Sequence, residues 1–356
     1  MKQTYALFFL LLFALSCSGN KSDRKTTGTS EPVALHFTEG ETLCPLDICS
    51  NLYIKKPQNI HTVGNYLLIE NPTDCGYLTL FNPETRQSVY HGFTKKAPSF
   101  RYSETETEQT TISLFGNVTA ILYRYTVDKG TITFHEAVNL KNVEGTPTAV
   151  YPLNDGLYVG IGIYRQGLLA LIDKQYKQIS FFGNYPLNEY LPEKGPDYYI
   201  LSTYDGCIEG SSDNRHIFYA SRRYGYISCY SIKNKRMERQ WEKRLTEPKY
   251  SRRKDQLDMK PDHQYGFSDL RTAGNHIYAL YEGNYHSPSE AALSDPPQKI
   301  LVYTMDGTTA AEYTVPGKVI HIDVDKEEKY LYTVAVAKDD DPYTHYLIRY
   351  PLQSGL

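Results

Sequence analysis

Short runs of β-branched and aromatic residues recur along the chain, and turn-forming residues separate them. The clearest group occupies residues 59–93, where Gly, Asn, Pro or Asp divides four successive runs. Runs of this length and composition predict β-strands joined by tight turns. Because four antiparallel strands in sequence cannot bury both faces of their sheet, the unit must pack against copies of itself.

Similar four-strand units are predicted along most of the chain. They cover residues 59–93, 97–140, 145–183, 206–241, 266–316 and 318–352. The sixth unit has no fourth strand, and a surplus β-like run occurs near residues 33–38. We therefore predict an all-β fold, a six-bladed β-propeller of four-stranded antiparallel blades in which an N-terminal strand completes the last blade.

The N-terminal residues have the parts of a secretory signal. Lys2 precedes an apolar run at residues 6–15, which is too short to span a bilayer as a mature helix. The following Ala14-Leu15-Ser16-Cys17 resembles a bacterial lipobox, which implies cleavage before Cys17 and attachment of a lipid to its thiol. An ordinary signal peptide with an incidental cysteine is the alternative.

This segment sets the predicted domain organisation. Residues 1–16 are a lipoprotein signal peptide, residues 17–32 a flexible tether of small and polar residues, and residues 33–356 the propeller. Lipid chains stabilise membrane attachment by about 0.8 kcal/mol per buried methylene. We therefore predict a cell-envelope protein that is lipid-anchored to the outer membrane and faces either the periplasm or the cell surface.

Charge and motifs narrow the function classes. The formal net charge of −3 is not that of a nucleic-acid-binding protein. The strings HExxH, GxSxG and the P-loop do not occur, and no second cysteine or histidine pair follows Cys44 and Cys49 at zinc-ligand spacing. Asp323 and Asp325 share one side of a predicted strand and could hold a cation, but no third ligand is visible. The acidic run at 339–341 with the Pro342 turn is an alternative, weak calcium loop, although calcium needs six or more oxygens. We predict no cofactor and no metal.

Two residue counts add detail. The chain has 33 tyrosines and a single tryptophan, and tyrosine suits half-buried strands because one end of its side chain is apolar. It also has six cysteines, so five remain if Cys17 carries a lipid, and five cannot all pair. Cys44 and Cys49 are close enough in sequence to form a disulfide, and the pairing of the others is left open.

The chain also resembles a known family. The lipobox cysteine, the phrase SFFGNYP at 180–186 and the phrase GFSDLRTAGNHIYALYEG at 266–283 are similar to those of the TolB-like six-bladed β-propeller lipoproteins. The resemblance spans about residues 33–356. It implies a surface or periplasmic lipoprotein of poorly defined function, and it supplies no catalytic residues.

Long insertions are expected to gather on one face of the propeller. Successive strands alternate in direction, so connections between second and third strands share a face with connections between blades. The insertions at 184–205, 242–265 and 282–298 all belong to these two classes. Long loops on a rigid scaffold commonly bind ligands, although a neutral insertion costs little stability. We call this surface the long-loop face.

Basic and aromatic residues mark a candidate site on the long-loop face. Arginine can form bidentate hydrogen bonds to carboxylate or phosphate, and tyrosine can stack on a sugar or ring. The candidate residues are Arg222, Arg223, Tyr224, Arg252, Arg253 and Tyr285. The alternative is a solvated loop whose charges meet the nearby Glu242, Glu247 and Asp255.

These observations leave three hypotheses for the function. The first is a membrane-anchored binding or scaffold protein that recognises a glycan, peptide or partner protein on its long-loop face. The alternative is a carbohydrate-active enzyme, a lyase or hydrolase, with an axial active site. Its candidate carboxylates are Glu209, Asp269 and Asp323, on the predicted innermost strands. A structural subunit of an envelope complex is the third.

Overall fold

The structure is a computed structural model in which the described residues form one compact unit. They are residues 33–37, 40–45, 57, 59–73, 76–91, 102–105, 111–116, 118–141, 143, 145–153, 156–164, 166–173, 175, 177–183, 185, 204–253, 256–336 and 345–352. Within these ranges, no helix has the length and apolar character needed to cross a bilayer. The predicted signal, tether and lipid attachment at Cys17 lie outside the described residues.

The first two strands are β1 (Val33–His36) and β2 (Glu41–Pro45). Three four-stranded antiparallel blades follow in sequence order. Their strands are β3 (Asn59–Val63), β4 (Tyr66–Thr73), β5 (Gly76–Asn82) and β6 (Gln87–His91); β7 (Tyr102–Thr105), β8 (Thr111–Gly116), β9 (Ile121–Asp128) and β10 (Thr131–Asn139); and β11 (Thr146–Pro152), β12 (Tyr158–Ile163), β13 (Leu169–Ile172) and β14 (Gln178–Phe182).

The second half of the chain has the same organisation, with one added hairpin and one four-residue helix. Blade four comprises β15 (Gly206–Gly210), β16 (His216–Ser221), β17 (Tyr226–Lys233) and β18 (Arg236–Arg244), and the hairpin β19 (Tyr250–Arg253) and β20 (Gln256–Met259). Blades five and six comprise β21 (Phe267–Ala273), β22 (His276–Tyr281), the helix α1 (Pro288–Ala291), β23 (Lys299–Thr304), β24 (Thr309–Thr314), β25 (Val319–Val324), β26 (Tyr330–Val336) and β27 (His345–Pro351).

The first strand of each blade lies at the centre of the ring. Strands β3, β7, β11, β15, β21 and β25 each contact the first strands of both neighbouring blades, and β25 returns to β3. The six sheets therefore close into the predicted six-bladed β-propeller, whose axis is lined by these first strands.

An N-terminal strand completes the last blade, as predicted, but it is not the expected one. β2 pairs antiparallel with β27 in blade six, whereas β1 pairs parallel with β24 as a fifth strand of blade five. Between them, Phe37 stacks on Tyr313 and Tyr350, with ring centroids 4.6 and 4.4 Å apart. The prediction that residues 33–38 complete blade six was wrong. The sequence showed that blade six lacks one strand, but it did not show which short N-terminal run supplies that strand.

Apolar side chains are buried mainly between adjacent blades. Phe218 from blade four and Phe267 and Tyr303 from blade five form one such layer, where Trp241 donates from Nε1 to the Met305 carbonyl at 2.9 Å. Burying one such large side chain contributes about 1.5–3 kcal/mol. Eight tyrosines in the described residues are fully buried, which agrees with the predicted role of tyrosine in strand packing: Tyr164, Tyr219, Tyr224, Tyr226, Tyr230, Tyr278, Tyr303 and Tyr313.

Candidate functional site

A group of charged side chains meets beside the propeller axis. Asp269 and Arg271 lie on β21, and His321 and Asp323 lie on β25. The two-residue spacing places both members of each pair on the same face of their strand. We call these four residues the axial cluster. Asp269 is 5% exposed and Asp323 is 6% exposed, so both residues are buried from solvent.

One guanidinium neutralises both carboxylates of the axial cluster. Arg271 Nη1 lies 2.9 Å from Asp269 Oδ1, and Arg271 Nε lies 3.3 Å from Asp323 Oδ1. His321 Nδ1 lies 3.4 Å from Asp269 Oδ2, and Arg271 Nη2 donates to Asn59 Oδ1 at 2.5 Å. A buried charge is tolerated only when it is paired and hydrogen-bonded, and this arrangement supplies both requirements.

The same two carboxylates join neighbouring blades. Asp269 Oδ2 accepts a hydrogen bond from Ile322 N at 3.0 Å, which ties β21 to β25. Asp323 Oδ2 accepts a hydrogen bond from Thr62 N, which ties β25 to β3. Each carboxylate therefore links its own blade to the next one around the ring.

The two acids of the axial cluster have pKa values shifted in opposite directions. Burial opposes ionisation of Asp269, but Arg271, His321 and the Ile322 N–H together hold its pKa well below the usual value. For Asp323 burial outweighs the attraction of Arg271 and raises the pKa to about 6. The two pKa values differ because the cations and the backbone N–H outweigh burial at Asp269, whereas burial outweighs the attraction of Arg271 at Asp323.

These contacts bear on the enzyme alternative. Glu209 on β15 is also buried, and its Oε1 accepts a hydrogen bond from Gly210 N at 3.3 Å. Asp269 and Asp323 point into contacts between blades, so their geometry supports a structural role and not an open acid–base pair. Among the residues described by the structure, no group of three histidine, cysteine or acidic side chains could hold a metal ion.

On the long-loop face, segments from three insertions or loops pack together, and one of them is described in two parts. Leu245 N donates to Gly225 O at 2.6 Å, and Tyr265 N donates to Asn284 O at 2.9 Å. Gly266 N donates to the Arg222 carbonyl at 3.0 Å. We call the segments joined in this way the loop platform: residues 221–225, 245–253, 256–266 and 282–298.

Arg222 presents a charged group at the axial side of the loop platform. Its side chain is exposed, and the nearby Cys207, Asp205 and Asp269 favour its charged form and raise its pKa. Burial raises the pKa of the Cys207 thiol to about 11, so this cysteine is not a nucleophile at neutral pH. Cys207 and Cys229 are both buried, free thiols.

Two other basic side chains of this region have acidic partners. Arg244 lies 4.0 Å from Glu242 and 3.8 Å from Glu247, and Lys249 lies 2.7 Å from Asp262. The solvated-loop alternative therefore holds for these residues. Within the described part of the chain, by contrast, no carboxylate forms an ion pair with Arg222 or Arg223.

The remaining candidate residues differ in position. Arg223 and Tyr285 are half-buried members of the loop platform, and Tyr285 N donates to Asp295 Oδ1 at 2.8 Å. Tyr224 is only 1% exposed and its ring contacts that of Tyr226, so it packs inside the platform and is not on its surface. In β19, Arg252 pairs with Leu257 and Arg253 with Gln256, and their side chains lie outside what the structure describes.

Sequence reasoning missed the residues that order the loop platform. Residues 242–265 were predicted as a long insertion, and the hairpin β19–β20 within it was not predicted, although YSRRKDQLD has a polar turn between two short runs. His263, Tyr265 and His286 form a series of ring contacts with centroids 6.0 Å apart at each step. No local pattern marks them, because their partners come from separate loops.

Comparisons with known proteins found similar folds only among solved structures. No protein-family model matches the sequence, and no curated protein matches it. A Bacteroides fragilis protein, provisionally described as exported, is 10% identical with a TM-score of 0.52, and the match covers 89% of this chain and 95% of that one. A luciferin-regenerating enzyme is 9% identical, with a TM-score of 0.48 and coverage of 89% and 96%. Hydrazine synthase from Kuenenia stuttgartiensis is 11% identical, with a TM-score of 0.46 and coverage of 80% and 76%.

Proposed function

We propose that this protein is a membrane-anchored, extracytoplasmic lipoprotein whose propeller is a binding or scaffold domain. Its loop platform recognises an anionic group on a glycan, a peptide or a partner protein. The observation that carries the proposal is the exposed residue Arg222, which forms no ion pair with a described carboxylate, although the nearby Arg244 and Lys249 do.

The backbone around the two arginines is held in place before any ligand binds. Arg222 N donates to Asp205 O at 3.1 Å, and its carbonyl accepts from Gly266. Arg223 N donates to Ser221 Oγ at 3.2 Å. A fixed backbone lowers the ordering cost of binding, and arginine suits carboxylate, sulfate and phosphate groups because it can donate two parallel hydrogen bonds.

Three observations support the membrane and export parts of the proposal. The lipobox-like segment ends at Cys17, the sequence resembles the TolB-like lipoproteins, and the Bacteroides fragilis protein of similar fold is provisionally described as exported. We expect Cys17→Ser to lose acylation by labelled palmitate and to leave the membrane fraction. Unchanged labelling and unchanged fractionation would contradict lipid attachment at this residue.

Binding to acidic polysaccharides tests the recognition part. Residues 31–356 are assayed against dextran, polygalacturonate and heparin at about 0.05 and 0.3 M salt, because exposed charge pairs weaken as ionic strength rises. We expect a salt-sensitive interaction with an acidic polymer that the double replacement of Arg222 and Arg223 by Ala abolishes. Arg244→Ala is the matched control, since it removes an exposed arginine that already has acidic partners.

The outcomes separate the classes of ligand. Equal losses in the two variants would mean that the polymer responds to general charge, which contradicts a site at Arg222 and Arg223. Binding of no polymer would favour a protein partner, and co-purification from detergent-solubilised membranes, with and without the two arginines, would then test the same surface.

A further inference from the structure

His263 is a fully buried imidazole inside the loop platform. Its exposed fraction is 0%, although the segment that carries it lies on the long-loop face. Lys249 N donates to His263 Nδ1 at 3.0 Å, and His263 Nε2 lies 2.6 Å from the Arg223 carbonyl oxygen. Because Nδ1 must be unprotonated to accept and the carbonyl can only accept, these contacts fix the neutral tautomer with hydrogen on Nε2.

The main chain of His263 adds two more connections. His263 N donates to Lys260 O at 2.9 Å, and His286 N donates to His263 O at 2.8 Å. This single residue therefore joins the β19–β20 insertion, the loop that carries Arg223 and the 282–298 insertion. Protonation of Nδ1 would set an N–H against the Lys249 N–H and break the first of these connections.

The charged and titratable groups around His263 come from each segment packed against it. Its neighbour Asp262 favours the protonated form but already pairs with Lys249 at 2.7 Å. The Arg223 carbonyl bonded to Nε2 favours the protonated form, whereas the charges of His286 and Arg223, from the two facing loops, oppose it. The Tyr250 and Tyr265 rings cover the imidazole, with centroid distances of 4.9 and 6.0 Å. Burial is the largest effect and lowers the pKa of His263 below its ordinary 6.5.

We propose that His263 is the positioning residue of the recognition face and that it makes this face sensitive to acid. When His263 is protonated, the β19–β20 insertion separates from the Arg223 loop, and the anionic ligand is released. The release of ligand rests on the function proposed above, whereas the separation of the insertion does not.

The direction of the pH effect follows from linkage. Below pH 6.5 the unfolded chain takes up a proton that the folded imidazole resists, so the contribution of His263 to stability is complete above this value. It is lost as the pH falls from there through the lower folded pKa. Acid therefore weakens the platform, and neutral or alkaline conditions preserve it.

Amide hydrogen exchange on the full chain in a neutral detergent tests the separation directly. Exchange in residues 245–265 is compared at about pH 7.5 and about pH 5 after correction for the intrinsic rate. We expect protection to fall at least about fivefold in acid in this segment, while β16 and β17 stay protected. Equal protection at the two pH values would overturn the proposal.

Two variants assign the effect to His263. His263→Asn keeps an acceptor near the Lys249 N–H but cannot titrate, so its protection, whether high or low, should not change between the two pH values. His135→Gln removes an exposed histidine on β10, in another blade, and should keep the wild-type response. A pH response that survives in His263→Asn, or that disappears in His135→Gln, would overturn the assignment.

Binding of polygalacturonate, whose carboxylates stay largely ionised at about pH 5, tests the release of ligand. We expect affinity to fall with the exchange protection in the wild type and to stay constant in His263→Asn. Tighter binding in acid, together with lost protection, would overturn the release step. If polygalacturonate binds at neither pH, the proposed function lacks this support, while the exchange result still decides the role of His263.

Discussion

Arg271 and Arg222 come from neighbouring blades and lie in opposite chemical environments. Arg271 is buried on β21, where two carboxylates and Asn59 occupy its guanidinium. Arg222 is exposed on the long-loop face, and the described residues offer it no ion pair. The same residue type therefore stabilises the ring in one place and, under the proposed function, contacts the ligand in the other.

The comparison shows that residue type alone does not identify a site. The axial cluster contains the histidine, arginine and paired aspartates that a catalytic site would need, yet its donors and acceptors are engaged with neighbouring blades. The loop platform contains more charged groups, and two of them, Arg222 and Arg223, form no ion pair with a described carboxylate. A charged residue is a candidate for ligand binding when it is exposed and has no ion-pair partner within the protein.

The largest expected effect comes from replacing Arg271 by Met. This substitution leaves two buried carboxylates without their cation, and breaking a buried charge network in this way costs about 3–5 kcal/mol. Urea denaturation would show the loss as a lower midpoint than that of the wild type. A loss of less than about 1 kcal/mol would mean that Arg271 does not stabilise the ring through these contacts.

The second prediction concerns pH. Because burial raises the pKa of Asp323 to about 6 from 3.8, the folded protein keeps a proton that the unfolded chain releases. Stability should therefore decrease as the pH rises from about 4 to about 6, by up to about 3 kcal/mol from this group. Asp323→Asn removes the titration and should flatten the free energy of unfolding across this range. An unchanged slope would contradict the assignment to Asp323.

A smaller effect is expected at Gly266, which passes close to the loop that carries Arg222. A Cβ atom at this position would overlap the carbonyl oxygens of Ser221 and Tyr224. Gly266→Ala should therefore displace residues 221–225, lower stability by roughly 1–3 kcal/mol and weaken anion binding. Gly317→Ala is a useful control, because no atom lies within 4 Å of its Cβ position and its effect should come from backbone strain alone.

The smallest effect on stability is expected for Arg222→Met, the counterpart of Arg271→Met. An exposed side chain with no ion pair among the described residues should change the free energy of unfolding by no more than about 0.5 kcal/mol. The same substitution should nevertheless weaken binding of an acidic polymer at least about tenfold. Loss of stability comparable to that of Arg271→Met would mean that Arg222 is also structural.

The sequence predicted much of the fold because strand patterns are local. Blade four was expected at 206–241 and occupies Gly206–Arg244, since its apolar runs alternate cleanly between turns. β2 was missed because the short segment at 41–45 has no such pattern, and its partner β27 lies some three hundred residues away.

The site could be predicted only in part. Arg222 and Arg223 stand out in the sequence as adjacent charges between aromatic residues, but the burial of Tyr224 depends on how the loop turns. The role of His263 was not predictable from local pattern, because its side-chain partners are 14 and 40 residues away. Long-range contacts of this kind appear only once the blades have assembled.

The central claim is that recognition depends on Arg222 and not on the axial cluster. It is tested most directly by measuring binding to the same acidic polysaccharide panel for the wild type, Arg222→Met and Arg271→Met, at a temperature where all three are folded. The account predicts that Arg222→Met loses salt-sensitive binding at unchanged stability, and that Arg271→Met keeps binding despite reduced stability. Retention of full binding by Arg222→Met, with loss in folded Arg271→Met, would contradict the claim and place recognition at the axial cluster.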